Sequence, residues 1–88
     1  QIINIHLKNM QQRNVEVHKG IVLPNSPVFT LDAQHRLVSA NPLKSVFFSC
    51  ELIKEFISYE KRFYLIRILE PRYMADLYFI EPENVIIE

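Results

Sequence analysis

The run from residue 28 to residue 42 constrains the fold of this chain more than any other segment. It predicts a strand, a polar turn and a second strand, followed by a helix start. Asp32 suits the turn, because an aspartate side chain can accept hydrogen bonds from the backbone that follows it. Asn41 and Pro42 favour a helix start, since Asn is a preferred N-cap and Pro a preferred first helical residue. The two strands are predicted over 28–31 and 37–40, and the turn over 32–36.

Apolar residues that alternate with polar ones predict further strands on both sides of this run. The first two of these strands are expected to pair as a hairpin. The segment 61–70 is apolar on both faces, which predicts a central strand covered on both sides. The only glycine, Gly20, interrupts the second strand and indicates a bulge there. The further strands are predicted over 1–9, 15–23, 61–70, 75–80 and 85–87.

The segment 42–60 is predicted to form the one principal helix. Its apolar residues fall into two adjacent helical rows, which together make a wide stripe suited to lie across a sheet. The part 46–50 could begin as a strand instead, because short apolar runs do not distinguish the two. One row contains Val46, Cys50, Ile53 and Ile57, and the other contains Phe48, Leu52, Phe56 and Tyr59. The expected class is α+β, a mainly antiparallel sheet of five or six strands with one helix packed on it.

Length and composition narrow the function classes. The 88 residues allow one small domain, and its start at Gln1, already in a strand pattern, suggests a piece of a larger protein. Ten basic and ten acidic residues give a net charge of zero, which argues against a nucleic-acid binder. Cys50 is the only cysteine, so no disulfide can form within the chain and a cytoplasmic location is expected. No apolar run approaches the roughly 20 residues of a membrane span.

The residue pattern indicates neither an enzyme nor a cofactor or metal site. His6, His18 and His35 are far apart in the chain and lack zinc-like cysteine spacing. One glycine is too few for a phosphate-binding loop. Cys50 lies within an apolar stripe, which predicts a buried structural thiol and not a nucleophile.

Asp32, the turn after it and the run 37–42 resemble the opening of PAS domains. In that family a first strand ends in Asp, and a second strand ends in Asn-Pro or a similar pair that starts a helix. The similarity covers 28–43. The family usually has a glycine in the turn, where this chain has 33–36 without one, and several short helices before its last three strands. The resemblance implies a sensory or dimerising module of a regulatory protein, and it assigns no ligand-contacting residue.

The expected function is a non-catalytic interaction or regulatory module of a larger protein. A sheet covered on one side by one helix leaves its other face open, and large apolar faces usually mark interfaces. We therefore expect self-association into a homo-oligomer, or binding of a protein partner. The candidate partner-binding residues flank the apolar C-terminal hairpin and are Arg67, Arg72, Tyr73 and Tyr78.

Two alternatives stay open. A PAS-like sensor would hold a small-molecule ligand in a cavity between the helix and the sheet. A small nucleic-acid-binding β domain would stack bases on Tyr64 and Tyr78 beside flanking arginines. The surrounding acidic residues, among them Glu60, Glu70 and Asp76, make nucleic acid the less favoured partner.

Overall fold

A computed structural model describes residues 2–40, 45–58, 61–73 and 76–88. Within these ranges the chain forms one antiparallel sheet of nine strands and two 3₁₀ turns, Leu7–Asn9 and Pro82–Asn84. The described ranges contain no α-helix, so the expected α+β class with a helix over 42–60 is wrong. The strands are β1 (Ile2–His6), β2 (Gln11–Asn14), β3 (Lys19–Val22), β4 (Phe29–Leu31), β5 (Arg36–Ser39), β6 (Phe48–Ser58), β7 (Lys61–Ile68), β8 (Leu77–Ile80) and β9 (Val85–Ile87).

The strand order in the sheet is β1-β5-β4-β8-β7-β6-β3-β9, and β2 also pairs with β6. The first half of the long strand β6 pairs with β3 and its second half with β2. The chain passes from β1, at one end of the sheet, through Leu7–Asn9 directly into β2 beside β6. This short connection brings two distant parts of the sheet together, so that the sheet curls in the manner of a small barrel.

The prediction that the first two strands pair as a hairpin is wrong. β1 pairs with β5, and β3, which lies within the predicted second strand, pairs with β6 and β9. The turn Leu7–Asn9 and the added strand β2 separate the two predicted partners along the chain. Gly20 lies in the regular part of β3, with no register shift in either of its ladders.

Two hydrophobic cores lie on opposite sides of β7, so its predicted central position is confirmed, but one side is left uncovered from Arg67 to Leu69. Tyr64, Ile66 and Ile68 point to one core, and Phe63 and Leu65 to the other. The first, which we call the aliphatic core, contains Val22, Val28, Phe48, Cys50, Leu52, Tyr64, Ile66, Ile68, Ile80 and Val85. The second, which we call the phenylalanine core, contains Met10, Phe29, Leu37, Phe56, Phe63 and Phe79.

A β-bulge at Ile53 determines which core each part of β6 contributes to. Leu52 lies opposite Ile66 but Lys54 lies opposite Leu65, so Ile53 is the extra residue in β6. Side chains alternate between the two sides of a strand, so one extra residue reverses the side of every residue after it. Leu52 therefore belongs to the aliphatic core, whereas Phe56, four residues later, belongs to the phenylalanine core.

The same bulge explains why the pattern of 46–58 predicted a helix. A regular strand repeats every two residues, but the extra residue leaves apolar spacings of three and four between Cys50, Ile53 and Ile57. Those spacings also place residues on one face of a helix. The strand alternative for the start of this segment is the correct one, since β6 begins at Phe48. The proposed helix cap at 41–42 lies outside the described residues.

The hairpin around Asp32 is confirmed. β4 pairs with β5, and the Asp32 carboxylate accepts hydrogen bonds from the backbone N–H groups of Gln34 (2.8 Å) and Arg36 (2.9 Å). The bond from the Arg36 backbone is the main cause that lowers the pKa of Asp32. His35 has a φ of 63°, a left-handed conformation that glycine adopts more readily. Strands β8 and β9 lie within the segments predicted for them.

The bulge predicts unequal effects for two substitutions in β6. Phe56→Ala should lower the free energy of unfolding by about 3–5 kcal/mol, because Phe56 is buried in the phenylalanine core. Ile53→Ala should cost less than about 1 kcal/mol, because Ile53 is half-buried and sits at the bulge. Urea unfolding measures both values, with the exposed Phe47→Ala as the control. Equal losses at 53 and 56 would contradict this placement of the bulge.

Candidate functional site

Part of the sheet has an apolar surface that neither core covers. Past the phenylalanine core, the same side of β7 continues to Arg67. Beside Arg67 on the neighbouring strands lie the half-buried Glu51 and the exposed Leu77. Phe47 is 63% exposed, Ile86 51% and Leu69 43%. We call this surface the outer face; its apolar residues are Ile21, Phe47, Leu69, Leu77 and Ile86.

The strand register arranges most of the outer face in two rows across the sheet. In the first row Ile21 lies between Ser49 and Ile86, and the Leu69 N–H donates to the Ser49 carbonyl at 2.9 Å. This row is mostly apolar. In the second row Leu77, Arg67, Glu51 and Lys19 lie side by side on successive strands. Phe47 precedes β6 and lies at the end of the face next to the first row.

Charges of alternating sign occupy the second row. Glu51 lies between Arg67 and Lys19, and Arg67 Nη1 donates to Glu51 Oε1 at 3.1 Å. The Arg67 side chain is 40% exposed and the Glu51 side chain 46% exposed, so water and other molecules reach both. The outer face therefore combines a mostly apolar row with a row of accessible charges, which is a composition suited to contact with another protein.

The four predicted partner-binding residues do not lie together on this face. Arg67 belongs to it, but Tyr78 lies opposite Ile66 and packs against the aliphatic core on the other side of the sheet. Burial raises the pKa of Tyr78. Tyr73 packs edge-on against Phe48, with 5.4 Å between ring centroids. The Arg72 guanidinium lies 5.9 Å from the Tyr73 ring centroid, so these two residues form a separate pair on the turn after β7.

Sequence reasoning missed the other residues of the outer face. A helix over 42–60 does not place Phe47, Ser49 and Glu51 on one side, whereas the alternation of a strand does. One signal is present in the sequence: Arg67 and Leu69 share a side of the strand predicted over 61–70, which indicates a mixed apolar and charged surface.

A second notable cluster surrounds Glu55, which is only 7% exposed. Its Oε2 accepts hydrogen bonds from the Arg62 guanidinium, from Nε at 2.7 Å and also from Nη2. Arg13 Nε lies 3.8 Å from Glu55 Oε1. The hydrogen bond to Glu55 raises the pKa of Arg62. Without the bulge Glu55 would point to the phenylalanine core, so this cluster also depends on Ile53.

A cavity of about 280 Å³ opens beside Glu55. The loop 15–18 separates β2 from β3 along β6, and the Leu52 N–H donates to the His18 carbonyl at 2.9 Å at this break. Leu52, Tyr64 and Ile87 form apolar walls, and Arg13 and Glu55 supply charges. This cavity lies along the sheet, whereas the sensor hypothesis expected one between a helix and the sheet.

The reactive side chains of the described residues are dispersed. His6 and His35 are neighbours, with 6.4 Å between ring centroids, whereas His18 lies beside Leu52. Cys50 is buried as expected, and desolvation raises the pKa of its thiol to about 11. Among the residues that the structure describes, no three His, Cys, Asp or Glu side chains are grouped to hold a metal ion.

No family model, curated protein or solved structure matches this chain. The helical segments within the described ranges are too short to cross a membrane.

Replacement of Glu55 tests whether its cluster supports the fold. Glu55→Gln keeps the shape but loses the charge of the carboxylate, so the free energy of unfolding should fall by about 1–2 kcal/mol. Glu70→Gln is the matched control, because the Glu70 pair with Arg72 is on an exposed turn and should contribute less than about 0.5 kcal/mol. Urea titrations at pH 7 compare the two variants. Equal losses of the free energy of unfolding in the two variants would show that burial of Glu55 does not increase the contribution of its ion pairs to stability.

The Cys50 thiol should react only when the protein unfolds. Its burial and raised pKa leave it protonated and inaccessible at pH 8. A chromogenic disulfide reagent should therefore label it at the rate of unfolding, and rapidly in 8 M urea. Ser49→Cys places a thiol at the adjacent position, which is exposed in the single chain, and in dilute monomeric protein this thiol should react rapidly without urea. Rapid labelling of Cys50 in the native protein would contradict the described packing.

Proposed function

We propose that this chain is a non-catalytic protein-interaction module of a larger protein, which associates with other protein chains through the outer face. When no other protein is present, this binding would be observed as self-association of the chain. Location in the cytoplasm is part of the proposal, because the single cysteine is a buried thiol and suits a reducing compartment.

The observation that carries the proposal is the exposure of Phe47 beside a row that is apolar except for Ser49. An antiparallel sheet with one side in water normally presents polar residues on that side. Here Phe47 is 63% exposed, and Leu69, Ile21 and Ile86 continue the apolar surface across three strands. Exposed aromatic side chains are frequent anchors of protein interfaces. Single exposed apolar residues need no explanation, but a connected row does.

The other functions considered from the sequence have less support. Tyr64 is 8% exposed, so bases cannot stack on it as the nucleic-acid hypothesis required. Three arginines of that region are paired with acids: Arg62 with Glu55, Arg67 with Glu51, and Arg72 with Glu70. Paired arginines have less charge available for phosphates.

Light scattering over a concentration series tests the proposal. The mass of the wild-type chain should rise with concentration above the 10.5 kDa of a monomer. Phe47→Ser should abolish this rise, because it removes the largest exposed apolar side chain of the outer face. The fold should remain intact, since Phe47 belongs to neither core.

Val17→Ser is the matched control for this experiment. Val17 is 39% exposed but lies in the loop 15–18, away from the outer face. This variant should associate like the wild type. A wild-type chain that stays monomeric to millimolar concentration, or association that Val17→Ser weakens as much as Phe47→Ser does, would refute the outer face as the contact surface.

A further inference from the structure

The order of charges on the outer face specifies a partner and an orientation. From β3 to β7 the second row carries Lys19, Glu51 and Arg67, with signs plus, minus and plus. The first row, alongside it, is apolar apart from Ser49. Two copies of such a surface can be complementary when a two-fold rotation places a positive strand of one copy over a negative strand of the other.

We propose that the partner is a second copy of this chain, bound face to face by a two-fold axis that runs along the strands between β3 and β6. This inference rests on the proposed function and adds to it the identity of the partner and the symmetry of the contact. The axis places β6 of one copy over β3 of the other, and β7 of one copy over β9 of the other. Sheets that pack face to face in this way lie about 10 Å apart with strands nearly aligned.

This arrangement brings unlike charges together. Glu51 of each copy faces Lys19 of the other, and the symmetry produces that pair twice. Arg67 of each copy faces the end of β9 in the other, where the chain continues into Glu88, whose N–H donates to the Lys19 carbonyl at 3.1 Å. The charges of the second row therefore attract across the contact.

The same axis matches the apolar row with itself. Leu69, which is 43% exposed, faces Ile86 of the second copy, which is 51% exposed. Ile21 faces Ser49 of the second copy, a small side chain that leaves room for it. Phe47 lies over the residue that follows β3, Leu23, in the second copy. The largest exposed side chains of the face are thus removed from water together.

A two-fold axis at right angles to the strands, along the charged row, gives the opposite result. Lys19 would then face Lys19, Glu51 would face Glu51, and Arg67 would face Arg67 of the second copy. Like charges placed opposite each other in an interface are strongly unfavourable. The charge order therefore favours an axis along the strands. An axis between β6 and β7 would set Glu51 against Arg67. It would set Lys19 against the apolar Leu77 of the second copy, whereas the axis between β3 and β6 sets both Lys19 and Arg67 against acidic residues.

Charge-swap variants test this geometry. In a Glu51→Lys chain the new lysine faces Lys19 of the second copy, so its self-association should weaken at least about tenfold at low salt. A Lys19→Glu chain should weaken as much, because Glu faces Glu51. An equal mixture of the two variants should form a heterodimer with a dissociation constant within about threefold of the wild-type value, since every facing pair is again unlike. The double variant Glu51→Lys/Lys19→Glu should likewise dimerise with itself.

The measurement is fluorescence anisotropy of a dye-labelled Glu51→Lys chain, titrated with unlabelled Lys19→Glu or unlabelled Glu51→Lys. Each single variant also loses a neighbouring pair within its own chain, because Glu51 lies beside Lys19 and Arg67. Urea unfolding of each variant identifies any loss of fold. The mixture removes this ambiguity, because a misfolded chain would not regain affinity for a complementary partner.

The outcomes separate this inference from the proposed function. Weaker self-association of both single variants, together with a heterodimer constant close to the wild-type value, supports the two-fold contact between Glu51 and Lys19, whereas a heterodimer much tighter than the wild type would indicate the axis at right angles to the strands. If the wild type associates and Phe47→Ser abolishes it, but the mixture shows no preference, the two-fold arrangement is overturned and the interaction face stands. If the wild type remains monomeric throughout, the proposed function and this inference both fail.

Discussion

The β-bulge at Ile53 is the constraint on which the rest of the structure depends. One extra residue in β6 allows the same strand to supply Phe48, Cys50 and Leu52 to the aliphatic core and Phe56 to the phenylalanine core. A regular strand with the same sequence would point Phe56 to the aliphatic core and Glu55 to the phenylalanine core. Burial of an unpaired carboxylate in that place would cost several kilocalories per mole, whereas Glu55 now meets the arginines at the sheet surface. The bulge therefore determines which residues of β6 enter each core and also the position of the cluster around Glu55.

The outer face is a consequence of how unevenly the two sides of β6 and β7 are covered. The aliphatic core covers one side of both strands over most of their length. On the other side the curl through β1, β5 and β4 covers only the part of the sheet that carries Phe56 and Phe63. The remaining part of that side, beyond the curl, has no layer of this chain over it within the described residues. Its apolar residues do not stabilise the fold as core residues do, and this exposure is the basis of the proposed association.

Local patterns in the sequence predicted what short-range physics determines. The turn at Asp32 follows from one carboxylate that accepts two backbone N–H groups, and the central position of β7 follows from its two apolar sides. The pairing of β1 with β5 and the bulge in β6 could not be predicted in this way. The first depends on partners about thirty residues apart, which compete with a nearer strand. The second removes the periodicity on which the prediction of strand or helix relied in 46–58. Of the predicted site residues only Arg67 lies on the outer face. Tyr78 points to the other side of β8, and Arg72 and Tyr73 lie on the turn after β7.

Gly20 connects the packing of the sheet to the extent of the outer face. A Cβ at this position would lie 2.9 Å from Val85 Cγ1 and 3.0 Å from the Ile86 carbonyl oxygen, so only glycine lets β9 approach β3 this closely. The close approach buries Val85 in the aliphatic core on one side and sets Ile86 beside Ile21 on the other. Without β9 the apolar row would end at Ile21, and Leu69 would have no apolar residue to meet across the proposed two-fold axis. Gly20 thus allows Val85 to pack in the aliphatic core on one side of the sheet and places Ile86 on the outer face on the other side.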